Sequence, residues 1–294
     1  METRSMISFD WAMKRLLRQK ANFEVLEGFL SELLRRKILI KHIGESEGNK
    51  TDEADKWNKV DIFVEADGKE LVIIELQYDS ENDYFHRMLY GVSKAVTEHI
   101  HEGEPYSAVR KVYSINIVYF DLGKGDDYVY HGITTFTGLH SRTELQLTAT
   151  QQHLYGKTVV GELHPEYYII KVNSFNNIAK NTLDEWIYYF KNNKIREDFT
   201  AQGLAKARQI LSLDQLTDAE KKQYWRNVEE RRIRDSEIGT AFLEGETKGE
   251  ARGLAKGEAE RSQLKAELKE REEKEAELLL RISALEQQLS KTPK

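Results

Sequence analysis

The sequence predicts an α/β fold with a helical C-terminal extension that ends in a short coiled coil. Three observations predict it. Two β-branched and aromatic runs, Val60–Glu65 and Leu71–Gln77, flank a turn signal at Asp67-Gly68. The apolar period changes from two to that of a helix at residue 82. Beyond about residue 195 the chain is mostly Lys, Arg, Glu, Gln, Ala and Leu and carries no strand signal.

In chain order, residues 9–37 read as helical, with Phe23, Leu26, Leu30, Leu33 and Leu34 at three- and four-residue spacing. Arg35, Arg36 and Lys37 then suit the negative end of the helix dipole. A short apolar run, Ile38–Ile43, precedes a polar loop at 44–58 and the two strands. In residues 82–101, Phe85, Met88, Leu89, Val92, Val96 and His99 share one helical face, and Ser80 with Asp83 resembles a capping box. Residues 112–120, 128–136 and 167–173 are expected strands, and 183–192 an amphipathic helix.

The extension has two textures. Gly245, Gly249, Gly253 and Gly257 recur every four residues within 242–260, and each costs a helix about 1 kcal/mol relative to alanine. A weakly helical or flexible stalk is expected there. Residues 261–294 follow as a coiled-coil tail. Leu264, Leu268, Arg271, Glu275, Leu278, Ile282, Leu285 and Leu289 hold a heptad register, although two central seam positions are charged. The alternative to self-association through this tail is a single amphipathic helix.

Composition narrows the chemistry. The 294 residues are 39% hydrophobic, enough for one sizeable core, and the formal charge of −6 confines any nucleic-acid surface to a local patch. There is no cysteine, which excludes disulfides, thiolate metal sites and a cysteine nucleophile. No apolar run reaches the roughly 20 residues that span a bilayer. No secretory signal opens the chain, so a cytoplasmic protein is expected. Motifs of serine hydrolases, P-loop enzymes, dinucleotide binders and zinc proteases are absent. His86, His99 and His101 lack a metal-ligand spacing, and His99 reads as a core histidine.

The feature that needs an explanation is the acidic pair within the strands. Alternation puts Asp61 and Phe63 on one face of the first strand, and Leu71, Ile73, Glu75 and Gln77 on one face of the second. A three-residue loop, Ala66-Asp67-Gly68, pairs Glu65 with Lys69, gives Gly68 a positive φ, and sets Asp61 diagonal to Glu75 on a shared face. Two carboxylates so placed repel one another unless one is protonated or both hold a cation. Oxygen ligands suit Mg²⁺. The alternative is that both lie at a sheet edge, solvated and idle.

The spacing Asp61…Glu75-Leu76-Gln77 on a hairpin between helices resembles the PD-(D/E)XK nuclease superfamily. The segments GESEGNK, WNKVDIFVEADGKELVIIELQ, DYFHRMLYGVSKAVTEHI, HPEYYIIKVNSFNN and LDEWIYYFKN resemble more narrowly the bacterial Rpn family of recombination-promoting, transposase-like nucleases. The resemblance covers most of residues 5–260 and implies a restriction-endonuclease-like αβββαβ core, a mixed sheet flanked by helices; the change of composition near 195 bounds that domain at 1–195 and marks a helical extension at 196–241. It implies a metal-dependent endodeoxyribonuclease that takes Mg²⁺, with Mn²⁺ as a substitute, and acts on DNA in recombination. Asp61 and Glu75 match the metal-binding acids, and the Leu76 carbonyl matches a backbone ligand. Asp10 and Lys14 match an N-terminal pattern of the family. Gln77 stands where the superfamily has lysine. A neutral amide can orient water or a phosphate oxygen but supplies no charge.

Other residues are candidates for the same work. Glu45 and Glu47 precede the hairpin, and Glu47 is the candidate for a further metal ligand. Arg87, Tyr90 and Lys94 lie on one side of the helix after the hairpin, where cations meet phosphates and the ring can stack. Lys14, Arg15, Arg18 and Lys20 form a second candidate basic patch. The rival reading is a nuclease fold weakened by Gln77 that serves as a DNA-binding or oligomeric scaffold, with homo-oligomerisation through the tail.

Overall fold

The computed structural model describes residues 6–15, 17, 19–44, 62–66 and 70–290, with Lys14 and residues 286–290 described by backbone alone. Two compact units divide at Tyr224/Trp225. The first is built on a six-stranded mixed sheet in the order β1-β2-β3-β4-β6-β5. Its strands are β1 (Ile40–Gly44), β2 (Ile62–Ala66), β3 (Leu71–Gln77), β4 (Val112–Val118), β5 (Val129–Gly132) and β6 (Glu166–Lys171). β1–β2–β3 are antiparallel, β3–β4 and β4–β6 are parallel, and β5 runs antiparallel to β6 at the edge. Helix α2 (Phe23–Leu34) precedes the three antiparallel strands, and α3 (Tyr84–Glu98) links β3 to its parallel neighbour β4. That sequence of elements is the αβββαβ order of the PD-(D/E)XK core.

The strands form where the sequence is β-branched and apolar. β3 and β4, the parallel neighbours, read LVIIELQ and VYSINIV and are buried along almost their whole length, as a sheet covered on both faces requires. On one face Leu71, Ile73 and Val112 pack with Val92 and Ala95 of α3, and Phe63 and Tyr167 border this cluster. A second cluster on the same helix joins Tyr84 and Met88 to Val118 and Leu122.

Several sequence expectations are revised. Residues 9–37 are not one helix. They form α1 (Phe9–Arg15), a 3₁₀ turn at Lys20–Asn22, and α2, which ends on Arg35 at φ 54°. The break is local: the Leu17 amide donates to Ala12 O, five residues back, and Lys20 and Ala21 are exposed. The β2–β3 ladder pairs Glu65 with Leu71, and the Ala66 amide donates to Glu70 O. β2 therefore runs one residue further than expected, and the register differs from the Glu65–Lys69 pairing by two residues. A two-residue slip preserves which face each side chain occupies. The expected positive φ of Gly68 lies outside the described residues.

The apolar face of α3 is also turned from the expected one. Tyr84, Met88, Gly91, Val92 and Ala95 are buried, while Phe85 and Leu89 are 51% and 56% exposed. Asp83 holds the N-cap position without a side-chain cap bond, so the Ser80/Asp83 capping box does not form. The strand expected at 128–136 stops at Gly132, and β6 begins one residue earlier than expected, at Glu166. Helix α4 (Ala149–Tyr155), missed in the sequence, opens on a Thr148/Gln151 capping box.

A second core supports the sheet. Phe9 of α1 and Phe29 of α2 meet Trp186, Tyr189 and Phe190 of α5 (Thr182–Asn192), with ring centroids 4.4–6.0 Å apart for the Phe9 pairs. Gly28 of α2 lies against the turn before α6 (Leu204–Ile210), so that an added Cβ would stand 2.3 Å from Gln202 O. The remaining chain is α7 (Asp218–Ser290), and the glycine-spaced segment lies inside it. Lys and Glu pairs one turn apart, such as Glu244–Lys248 and Glu270–Lys274, line its surface. Among the described residues no helix is long and apolar enough to cross a membrane.

The Gly28 contact gives a stability prediction. Gly28→Ala should cost about 1–3 kcal/mol by forcing α2 and the α6 turn apart, which lowers the Tm by about 2–4 °C per kcal/mol in a domain of this size. A melting curve equal to that of the wild type would contradict the packing.

Candidate active site

Glu75 is the unusual residue of β3. It sits at 5% exposure in a strand built, apart from the terminal Gln77, of Leu, Val and Ile. Alternation places it with Leu71, Ile73 and Gln77 on the face toward α3. Its neighbour across the parallel ladder is Asn116, itself 1% exposed. The Asn116 amide donates to Ser114 Oγ at 3.0 Å and to Tyr168 O at 3.3 Å, and the Tyr84 hydroxyl donates to Asn116 Oδ1 at 3.2 Å. A polar strip therefore crosses the centre of the sheet beneath the start of α3.

The charge on Glu75 is balanced from that helix. Arg87 Nε lies 3.2 Å from Glu75 Oε2, an ion pair without hydrogen-bond alignment. Arg87 Nη1 also donates to Glu81 Oε1 at 2.7 Å. Burial works against the guanidinium charge, yet the fields of Glu75 and Glu81 outweigh it, and the arginine is held above its ordinary pKa. Gln77 Nε2 donates to the same Glu81 oxygen at 2.9 Å and to Asp79 O at 3.3 Å. The Gln77 backbone is fixed as well, because its carbonyl accepts from the Tyr119 amide at 2.9 Å and Tyr78 stacks on Tyr119 at 4.2 Å.

The remaining expected residues fall as follows. Asp61, Glu45, Glu47 and Arg18 lie outside the described residues, as does the Lys14 side chain. Arg15 is exposed on α1 and Asp10 is buried there. Arg87, Tyr90 and Lys94 do share a half-buried flank of α3. On that flank Arg87 is committed to Glu75 and Glu81, and Lys94 Nζ lies 3.7 Å from Glu98. His99 is structural: it stacks on Phe63 at 4.7 Å and its Nδ1 meets Ala95 O at 2.8 Å.

Glu81, Asn116 and Ser114 escaped the sequence reading. Asn116 and Ser114 had a signal, a polar i, i+2 pair inside the apolar run VYSINIV, on the face that Glu75 occupies one strand away. Glu81 had none, since an acidic residue in a polar turn is ordinary.

Among the described residues no group of three or more His, Cys, Asp or Glu is arranged to hold a metal ion. Glu75 and Gln77, on one face of β3, offer carboxylate and amide oxygens, hard donors of the kind that suits Mg²⁺ rather than zinc. A cationic guanidinium against Glu75 shows that positive charge is stabilised at this point.

Neither a curated relative nor a solved structure matches the chain. The family described as PD-(D/E)XK nuclease family transposase matches residues 7–241, which takes in the hairpin, α3 and the whole sheet. Because that match spans well over half of the 294 residues, and the sheet carries the αβββαβ order with a buried acid on its central hairpin strand, the protein belongs to the PD-(D/E)XK nuclease family of transposases.

Proposed function

We propose that the protein is a Mg²⁺-dependent DNA endonuclease that promotes recombination. The observation that carries this reading is the buried carboxylate of Glu75, held with a cation on the strand where the family keeps its Glu-x-Lys acid. In this reading Asp61, the residue before β2 in the chain, joins Glu75 at the ion. Asp61, Glu75 and the Leu76 carbonyl hold Mg²⁺, or Mn²⁺ in its place, with Glu47 as a further ligand. The ion, when bound, neutralises charge on a phosphodiester and activates a water. Gln77 orients that water or a phosphate oxygen. Arg87, Tyr90 and Lys94 on α3, and Lys14, Arg15 and Arg18 near α1, supply the DNA contacts.

A second reading has its own support. Arg87 already neutralises Glu75, and Gln77 brings no charge, which is what a nuclease fold kept as a DNA-binding scaffold would show. In both readings α7 promotes self-association: Leu264, Leu268, Leu278, Ile282 and Leu285 are each 52–64% exposed in heptad register.

Cleavage of supercoiled plasmid separates the two readings. The nuclease reading expects nicking with Mg²⁺ or Mn²⁺ and a loss of about a hundredfold or more in Asp61→Ala and Glu75→Ala. Wild-type protein that leaves plasmid intact with either ion supports the scaffold, and equal cleavage by Asp61→Ala removes Asp61 from the mechanism. Arg87→Met should lower the stability of metal-free protein by about 1–3 kcal/mol, because a buried carboxylate loses its counterion. Mg²⁺ should then raise the Tm of the variant more than that of the wild type, and equal shifts would show that ion and guanidinium do not share Glu75. For the tail, light scattering should give a higher mass per chain for the full protein than for one lacking residues 260–294. Equal values rule out the zipper.

A further inference from the structure

Gln77 is the departure from Glu-x-Lys, and its surroundings decide which end of the amide works. Its nitrogen faces Glu81 Oε1 at 2.9 Å and Asp79 O at 3.3 Å. An ionised carboxylate and a backbone carbonyl accept hydrogen bonds and cannot donate them. The amide therefore cannot be turned round without setting oxygen against oxygen, so the assignment rests on chemistry rather than on a choice between like-shaped atoms. Both N–H groups are spent on the chain itself, which leaves the carbonyl oxygen as the functional end. Glu81 does this while the same oxygen atom accepts from Arg87, whose Nε stands 3.2 Å from Glu75. Four side chains thus link the two site positions of β3 into a loop: Gln77 to Glu81, Glu81 to Arg87, Arg87 to Glu75.

We infer that Glu81 is a positioning residue that makes Gln77 an oxygen acceptor in the site, so that this amide receives a hydrogen bond from the attacking water and does not stand in for a lysine. The inference rests on the nuclease reading above. It has a consequence that the superfamily pattern does not suggest. A lysine at position 77 would point its ammonium at Glu81, form an ion pair there, and leave the site without the oxygen. Restoring Glu-x-Lys therefore damages this enzyme.

Two measurements test it, one without catalysis. In ¹⁵N-labelled protein the Gln77 side-chain amide signals, assigned by their loss in Gln77→Met, should move in Glu81→Ala and exchange with water about tenfold faster or more. In Glu81→Gln, which keeps an acceptor oxygen, they should stay close to wild type. Glu81 is about 30% exposed as a side chain, so its replacement is compatible with folding. Unchanged amide signals in Glu81→Ala overturn the inference. In plasmid cleavage with Mg²⁺, Glu81→Ala and Gln77→Lys should each lose about tenfold or more in turnover at unchanged KM, with partial recovery in Glu81→Gln. Gln77→Lys that cleaves as fast as wild type or faster also overturns it. Wild-type protein that cleaves nothing defeats the nuclease reading instead, and the amide signals still decide the role of Glu81.

Discussion

A carboxylate at 5% exposure on a central strand has to be balanced by positive charge drawn from close by, and this requirement organises β3, the turn after it and the first half of α3. Arg87 reaches down one turn from the start of α3 to meet Glu75. Glu81 keeps the arginine from being shared with solvent alone, and Gln77 completes the connection back to the strand. None of these contacts is a strong source of stability, since a buried ion pair returns little more than its own desolvation. What they give is orientation. The two polar side chains of β3 are held in one arrangement by the β4 ladder beside them and a helix above.

The rest of the fold serves that arrangement. Two apolar clusters seat α3 on the sheet, so that Arg87 has a fixed height over Glu75. The aromatic core of Phe9, Phe29, Trp186 and Phe190 fixes α1, α2 and α5 to each other. Polar atoms that cannot escape to water, in Asn116 and Tyr84, are paired inside the sheet, which spares the strip beside Glu75 their desolvation cost.

Much of this was legible in the residues. The bounds of β3 agree with the apolar run Leu71–Gln77, because a buried strand must be apolar along its length and Gln77 marks its end. The face of Glu75 was legible for the same reason that the hairpin error was harmless: alternation depends on parity, and the observed register differs from the expected one by two. The turn itself was not, since Asp67-Gly68 satisfies several loops and only cross-strand packing selects one. The face of α3 misled because Phe85 and Leu89 are apolar yet exposed, while Gly91 and Ala95, weak hydrophobes, are buried. Glu81 was illegible for a deeper reason. Its role comes from Gln77 and Arg87 meeting on one of its oxygens, a coincidence of strand end, turn and helix that no spacing announces.

Whether Glu75 belongs to a divalent-ion site can be seen in a crystal soaked in Mn²⁺ and measured at a wavelength where manganese scatters anomalously. One strong peak is expected within coordination distance of the Glu75 carboxylate, shared with Asp61, with Arg87 drawn back from Glu75. Arg87 still paired with Glu75 and no peak beside it, at a Mn²⁺ concentration that fills surface sites elsewhere, would rule out the ion site.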